Sequence, residues 1–194
     1  MIFKKNGNSN IVYTIGAPVL RKNAAPVAVI DDNVRQLAFD MFEAMRYFNG
    51  IGLAAPQYGV SQRLVVIDVP PDNSTGSPGE QLLLPKMPMA LVNPEIIMSS
   101  RESACREEGC LSVPGKSGFV TRPRTVVVEA YDRDGNLFEY EADGLMARCV
   151  FHEYDHLDGI LYKDKALHML TEEEIEEMEN DQNTKRRRRR RRRD

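Results

Sequence analysis

The sequence predicts an α+β domain, and three observations carry that prediction. Apolar residues recur at helical spacing from Val34 to Phe48, and a second helix fits Gly144 to Leu157. Two strand-like runs flank Asp132-Arg133-Asp134-Gly135-Asn136, a hairpin signal with a glycine in the turn. The short strands surround isolated helices and do not alternate with them, as a parallel β-α-β sheet would require.

In chain order, residues 1–30 form an irregular, partly extended entry with prolines at 18 and 26. Asp31 and Asp32 offer an N-cap to the stripe Val34, Leu37, Ala38, Met41, Met45 and Phe48, and Asn49-Gly50 ends it. Leu64 to Val69 is an apolar run of strand length. Pro70 to Met89 holds five prolines and a Gly/Ser/Asp/Asn cluster, which predicts a long loop, either mobile or a lid, before a strand near Ala90 to Met98. Thr125 to Tyr131 and Leu137 to Glu141 are the two arms of the hairpin. The helix from Gly144 stops at Gly159. A last helix starts at Thr171, where Thr171 and Glu174 have capping-box spacing, and its acidic face is expected to be solvated. This divides the chain into a catalytic unit over 1–170, an acidic helix over 171–184 and a disordered polyarginine tail over 185–194.

The 194 residues fit one domain, and 42% hydrophobic content can fill its core. No run is long enough to span a bilayer, and Met1 to Asn8 lacks an apolar signal region. Three cysteines (105, 110 and 149) are too few and too odd in number for a disulfide framework. A reducing, cytoplasmic location is expected. Nine of the 26 Lys+Arg lie in Lys185–Arg193; the other 17 face 28 Asp+Glu in residues 1–184, so the body carries −11. An acidic body is not a sequence-specific nucleic-acid-binding domain.

His152-Glu153-Tyr154-Asp155-His156 is an H-E-x-x-H pattern inside the predicted helix, and it holds two of the chain's three histidines. Positions four apart share one helical face, about 6 Å apart along the axis, so both imidazoles can reach one cation. Glu153 then faces the open side of the metal, where it can take a proton from water and return it to a leaving group. His168 is expected to be structural or on the surface. A third ligand at position 162 would define one class of zinc protease, but that position is Tyr162. Cys149 lies about 10.5 Å along the axis from His156, too far to share a metal, and fits a pocket wall instead. Cys105, Cys110 and the carboxylates remain as candidates.

Three segments resemble the signature motifs of the peptide deformylase family of bacterial and organellar type, in that family's order. They are Gly50-Ile51-Gly52-Leu53-Ala54-Ala55-Pro56-Gln57, Glu108-Gly109-Cys110-Leu111-Ser112-Val113-Pro114, and His152 through Gly159. The resemblance runs from about Ile11 to Tyr162. It implies antiparallel sheets packed around a central helix that carries the histidines, with helices near both termini. It implies Cys110 as third metal ligand beside His152 and His156, Glu153 as general base and acid, and Gln57 and the Leu111 N–H as oxyanion donors. It also implies a Glu108–Arg122 ion pair bracing the cysteine loop. Gly50 and Gly52 would let an extended peptide approach. Gly50, Ile51, Gly52, Glu108, Gly109, Leu145, Arg148 and Cys149 are the expected substrate contacts, with Ile51, Leu145, Cys149 and part of Arg148 walling a methionine pocket.

The implied reaction hydrolyses the formyl group from N-terminal formyl-methionine of nascent polypeptides and releases formate. Iron(II) is the implied native metal, with zinc or nickel able to occupy the same ligands. Phe151, Arg148 and Gly115 to Phe119 depart from the commonest family pattern, and Lys116 is a weak stand-in for a substrate-contacting arginine. Competing readings are a zinc peptidase drawing a ligand from Glu172 to Glu179, a structural Cys/His metal site, and an RNA-binding protein acting through the arginine tail. That tail could dock the enzyme to ribosomal RNA or be incidental to the chain.

Overall fold

The computed structural model describes residues 2–4, 11–71, 82–178 and 180. Strands β1 (Ile2–Lys4) and β2 (Ile11–Tyr13) pair as an antiparallel ribbon. Then come helix α1 (Asp32–Tyr47), β3 (Gly52–Ala54), β4 (Leu64–Ile67), β5 (Met89–Ser99), β6 (Ser103–Cys110), β7 (Val113–Pro123), β8 (Thr125–Tyr131) and β9 (Leu137–Asp143). Helix α2 (Gly144–Leu157), the single turn α3 (Tyr162–Lys165) and β10 (His168–Met169) follow, and 172–178 is again helical.

Two antiparallel sheets result. The larger has the order β3-β4-β5-β8-β9 and the smaller β10-β7-β6. The larger sheet lies between the two long helices. Leu64 and Val66 face α1, where they meet Val34, Ala38, Met41 and Met45. Val65 and Ile67 face α2, where they meet Met146, Ala147 and Val150. Because both faces are covered, all four residues of β4 are buried, and the strand is a continuous apolar run without alternation. Met41 and Met45 are fully buried. Each such side chain contributes about 1.5–3 kcal/mol over an exposed one.

The local signals explain the boundaries. The Asp31 side chain accepts from the Val34 N–H at 3.1 Å and caps α1. Asn49 then takes a left-handed φ of 58° and turns the chain toward β3. Thr171 and Glu174 form a reciprocal capping box, at 2.8 and 3.3 Å.

The segment around Cys110 departs from expectation. It is not a loop: Glu108–Cys110 ends β6, and Val113 already begins β7. The strand character was hidden because β6 buries only one side chain fully, and that side chain is Glu108. β7 carries Pro, Gly, Lys and Ser in its first half, so pairing with β6 and β10 overrides weak propensity. Of the Pro70 to Met89 loop, residues 72–81 lie outside the described residues; Leu84–Lys86 is a 3-10 turn. Most of the acidic helix is described, but its residues 179 and 181–184 and the tail over 185–194 are not among the described residues. No helix among the described residues is long and apolar enough to cross a membrane.

Candidate active site and metal centre

Helix α2 is buried nearly all round, and its interior residues include Arg148, His152, Glu153, Asp155 and His156. Charged and polar groups survive burial only when paired or bound to a metal. Their partners therefore define the site.

His152 and His156 sit one turn apart, with ring centroids 5.1 Å from each other. The smaller sheet delivers Cys110 to them. A register shift after Gly109 turns the end of β6, and Cys110 Sγ lies 3.2 Å from His156 Nε2. One ligand atom from each of Cys110, His152 and His156 falls within 4.8 Å of the others, the one such group among the described residues. Cys105 is exposed and outside it, and so is the acidic C-terminal helix, where Glu174 engages His168 and the cap at Thr171. His168 is exposed.

Glu153 is buried beside this cluster, and its Oε2 has no hydrogen-bond partner. Burial, reinforced by the Glu108 charge and opposed by His152 and Arg122, pushes its carboxyl up to about 7. Room for it comes from Gly52: a Cβ there would meet Glu153 Oε1 at 2.5 Å and Cys149 Sγ at 2.8 Å. A Cβ on Gly50 would meet Leu111 Cδ1 at 2.8 Å. A side chain at either glycine would therefore collide with the chain's own side chains. Among the described residues β3 is an edge strand of the larger sheet.

Gln57 is locked at both ends of its amide. Its Oε1 accepts from the Ala54 N–H at 2.8 Å, which fixes Nε2 toward the cluster. That nitrogen donates to Ser112 Oγ at 3.2 Å and to Cys110 Sγ at 3.5 Å. Leu111 occupies the turn between Cys110 and Ser112.

Glu108 organises the other side. Arg122 grips it with a fork, Nε to Oε1 at 3.0 Å and Nη2 to Oε2 at 2.9 Å. His152 Nδ1–H donates to Oε2 at 2.9 Å, which leaves His152 Nε2 for the cluster. Burial alone would raise the Glu108 pKa, but hydrogen bonds from His152 and Arg122 outweigh it and hold it at about 2. Arg122 also donates to Asp155 at 2.5 Å, and Lys165 reaches the other Asp155 oxygen at 2.6 Å. The pair is buried, at 4% exposure on each side, and is not a surface contact.

A cavity of about 680 Å³ opens onto the cluster. Gly50, Ile51, Gly52, Glu108, Gly109, Leu145, Arg148 and Cys149 all line it, together with Gln57, Cys110, Leu111, His152 and Glu153. So does Ile175, from the C-terminal helix.

The family model for polypeptide deformylase matches residues 9–172. The chain belongs to the peptide deformylase family. The peptide deformylase of Caldicellulosiruptor bescii is 50% identical over 166 residues, 86% of this chain and 90% of that protein. Among solved structures, the Synechococcus elongatus peptide deformylase in complex with actinonin shares 37% identity at a TM-score of 0.73, over 90% of this chain and 86% of that one. A Met-Ala-Ser-bound class I type b peptide deformylase from Acinetobacter baumannii shares 35% at a TM-score of 0.70, over 79% and 96%. Peptide deformylases are metal-dependent hydrolases that remove the formyl group from N-terminal formyl-methionine.

Two features of this deformylase escaped the sequence. Arg148 lines the cavity as expected, but the sequence did not show that its guanidinium also joins the Glu108 network. Ile175 was absorbed into an acidic, solvated helix, although it is the one apolar residue within Glu172–Glu177, which was the available signal.

Proposed function

We propose that Cys110, His152 and His156 hold one divalent metal ion and that Glu153, Gln57 and Leu111 hydrolyse the formyl group beside it. The observation that carries this reading is the convergence of a thiol and two imidazoles on one point, next to a buried carboxylate oxygen with no partner. The donor set fits a borderline or soft divalent cation, and His152 is already oriented by Glu108 to present Nε2. When bound, the ion supplies Lewis acidity and makes water at its open position easier to deprotonate. The ligands suit iron, zinc and nickel alike; iron(II) is the native ion in this proposal.

Glu153 takes the proton from the attacking water, its buried carboxylate lying beside the ligands with Oε2 unpartnered. The same carboxyl returns the proton to the departing amine. Gln57 Nε2 and the Leu111 N–H donate to the oxygen of the tetrahedral intermediate; loss of one such donor costs about 3 kcal/mol in a comparable site. Ile51, Leu145 and Cys149 form an apolar wall for an unbranched methionine side chain. Glu108 braces the site through Arg122, Arg148 and His152, and Gly50 and Gly52 make room for Leu111 and Glu153. Residues 1–170 form the catalytic unit, the acidic helix adding Ile175 to its pocket.

Metal analysis of protein purified anaerobically tests the ligand set. The wild-type chain carries one ion, and Cys110→Ala carries none and releases no formate. A full complement of metal in Cys110→Ala would refute it. The enzyme works in the cytoplasm on nascent chains, and the Lys185–Arg193 tail holds it near ribosomal RNA by salt-sensitive phosphate contacts. Equal activity on ribosome-nascent chains at low salt, with and without that tail, would rule the docking out.

A further inference from the structure

Arg148 occupies the position four residues before His152, so the two side chains leave successive turns on one face of α2. Both end on the same carboxylate. Arg148 Nη1 donates to Glu108 Oε1 at 2.6 Å, and His152 Nδ1 donates to Oε2 at 2.9 Å. With the fork from Arg122, each Glu108 oxygen receives two donors, and the carboxylate is saturated. Two further Arg148 donors reach backbone carbonyls. Nη1 reaches the Val120 carbonyl at 3.0 Å, and Nη2 reaches the Ala104 carbonyl at 2.7 Å. One planar guanidinium therefore ties α2 to β6, to β7 and to the carboxylate between them, while its stem lines the cavity.

We propose that Arg148 is a positioning residue for the metal centre: anchored on the Ala104 and Val120 carbonyls, it fixes the Glu108 carboxylate and, through it, the ring of His152. This rests on the ligand reading given above. The physical need is specific. Arg122 approaches Glu108 from β7, within the same hairpin, and reaches α2 only indirectly, through Asp155 beside His156. Arg148 approaches from α2, the helix that carries His152 and His156, and so sets the carboxylate relative to the ligands. A lysine at 148 would keep a charge on Glu108. As a single ammonium it lacks the planar fork that reaches the carboxylate and both carbonyls at fixed angles.

The test uses the full chain loaded with Co(II), as wild type, Arg148→Met and Arg148→Lys. Arg148→Met keeps the stem against the cavity and removes the fork. The readouts are the Co(II) dissociation constant, the visible d–d spectrum and the thermal midpoint of the metal-free protein. Arg148→Met is expected to weaken Co(II) binding about 10–100-fold, the usual effect of losing support behind a ligand, and to shift the d–d bands. Arg148→Lys is expected to recover part of the affinity and not the spectrum. Wild-type affinity and spectrum in both variants would overturn the proposal, whatever happens to the midpoint. If Arg148→Met does not fold, Arg148→Lys decides alone: a spectrum identical to wild type overturns the proposal. Absence of a thiolate-to-cobalt band in the wild-type protein would instead refute Cys110 as a ligand.

Discussion

Glu153→Ala is expected to lower kcat/KM for a formyl-Met peptide by about 10²–10⁴-fold while the protein keeps its metal and its fold. Proton transfer by a positioned carboxylate contributes a factor of that size, about 3–5 kcal/mol of barrier. Glu153 serves twice, on the water and on the amine, so the upper half of the range is expected. The metal stays because its ligands lie on Cys110, His152 and His156. The fold stays because the lost carboxylate has an unpartnered oxygen, and its removal strands no buried cation. Formate release and metal content are measured on the same sample. Activity within a few-fold of wild type would exclude Glu153 as the proton carrier.

Glu108→Ala is expected to act on stability first. Glu108 is 6% exposed and receives donors from Arg122, Arg148 and His152. Its removal leaves two buried guanidinium groups without their shared counter-charge. Breaking one partner of a buried ion pair costs about 3–5 kcal/mol. In a chain of this size that lowers the thermal midpoint by roughly 6–20 °C, at 2–4 °C per kcal/mol. The metal-free protein is the one to melt, so that ligand loss does not enter the number. A change under about 1 kcal/mol would place the pair in the class of exposed salt bridges, which the burial contradicts.

The contrast between these two glutamates shows what a sequence reveals and what it conceals. Glu153 was legible because its chemistry is local: a fixed offset from two histidines on one helix places it. Helices α1 and α2 and the β8-β9 hairpin were legible for the same reason, through periodicity, the Asp31 cap, and the turn at Asp132 to Asn136. Cys110 needed the family motif, because nothing within β6 relates it to a helix about 40 residues away. Strands β6 and β7 were concealed because they bury few apolar residues, and the side chain that β6 does bury is a glutamate. Arg148 looked like a departure in the pocket lining because its partner Glu108 lies 40 positions upstream. Only the folded chain brings the two together. Gly50 and Gly52 were legible as close-approach positions, but not what approaches them, since Leu111 and Glu153 come from different elements.

The account stands on metal-dependent removal of a formyl group at the Cys110–His152–His156 cluster. Formate released from formyl-Met-Ala-Ser under anaerobic conditions measures it, using the iron(II)-loaded chain, the same chain stripped by a chelator, and the stripped chain reloaded. The expected result is formate in equal amount to free Met-Ala-Ser, lost on stripping and restored on reloading. Formate release that survives stripping, or cleavage within Met-Ala-Ser without formate, would contradict it.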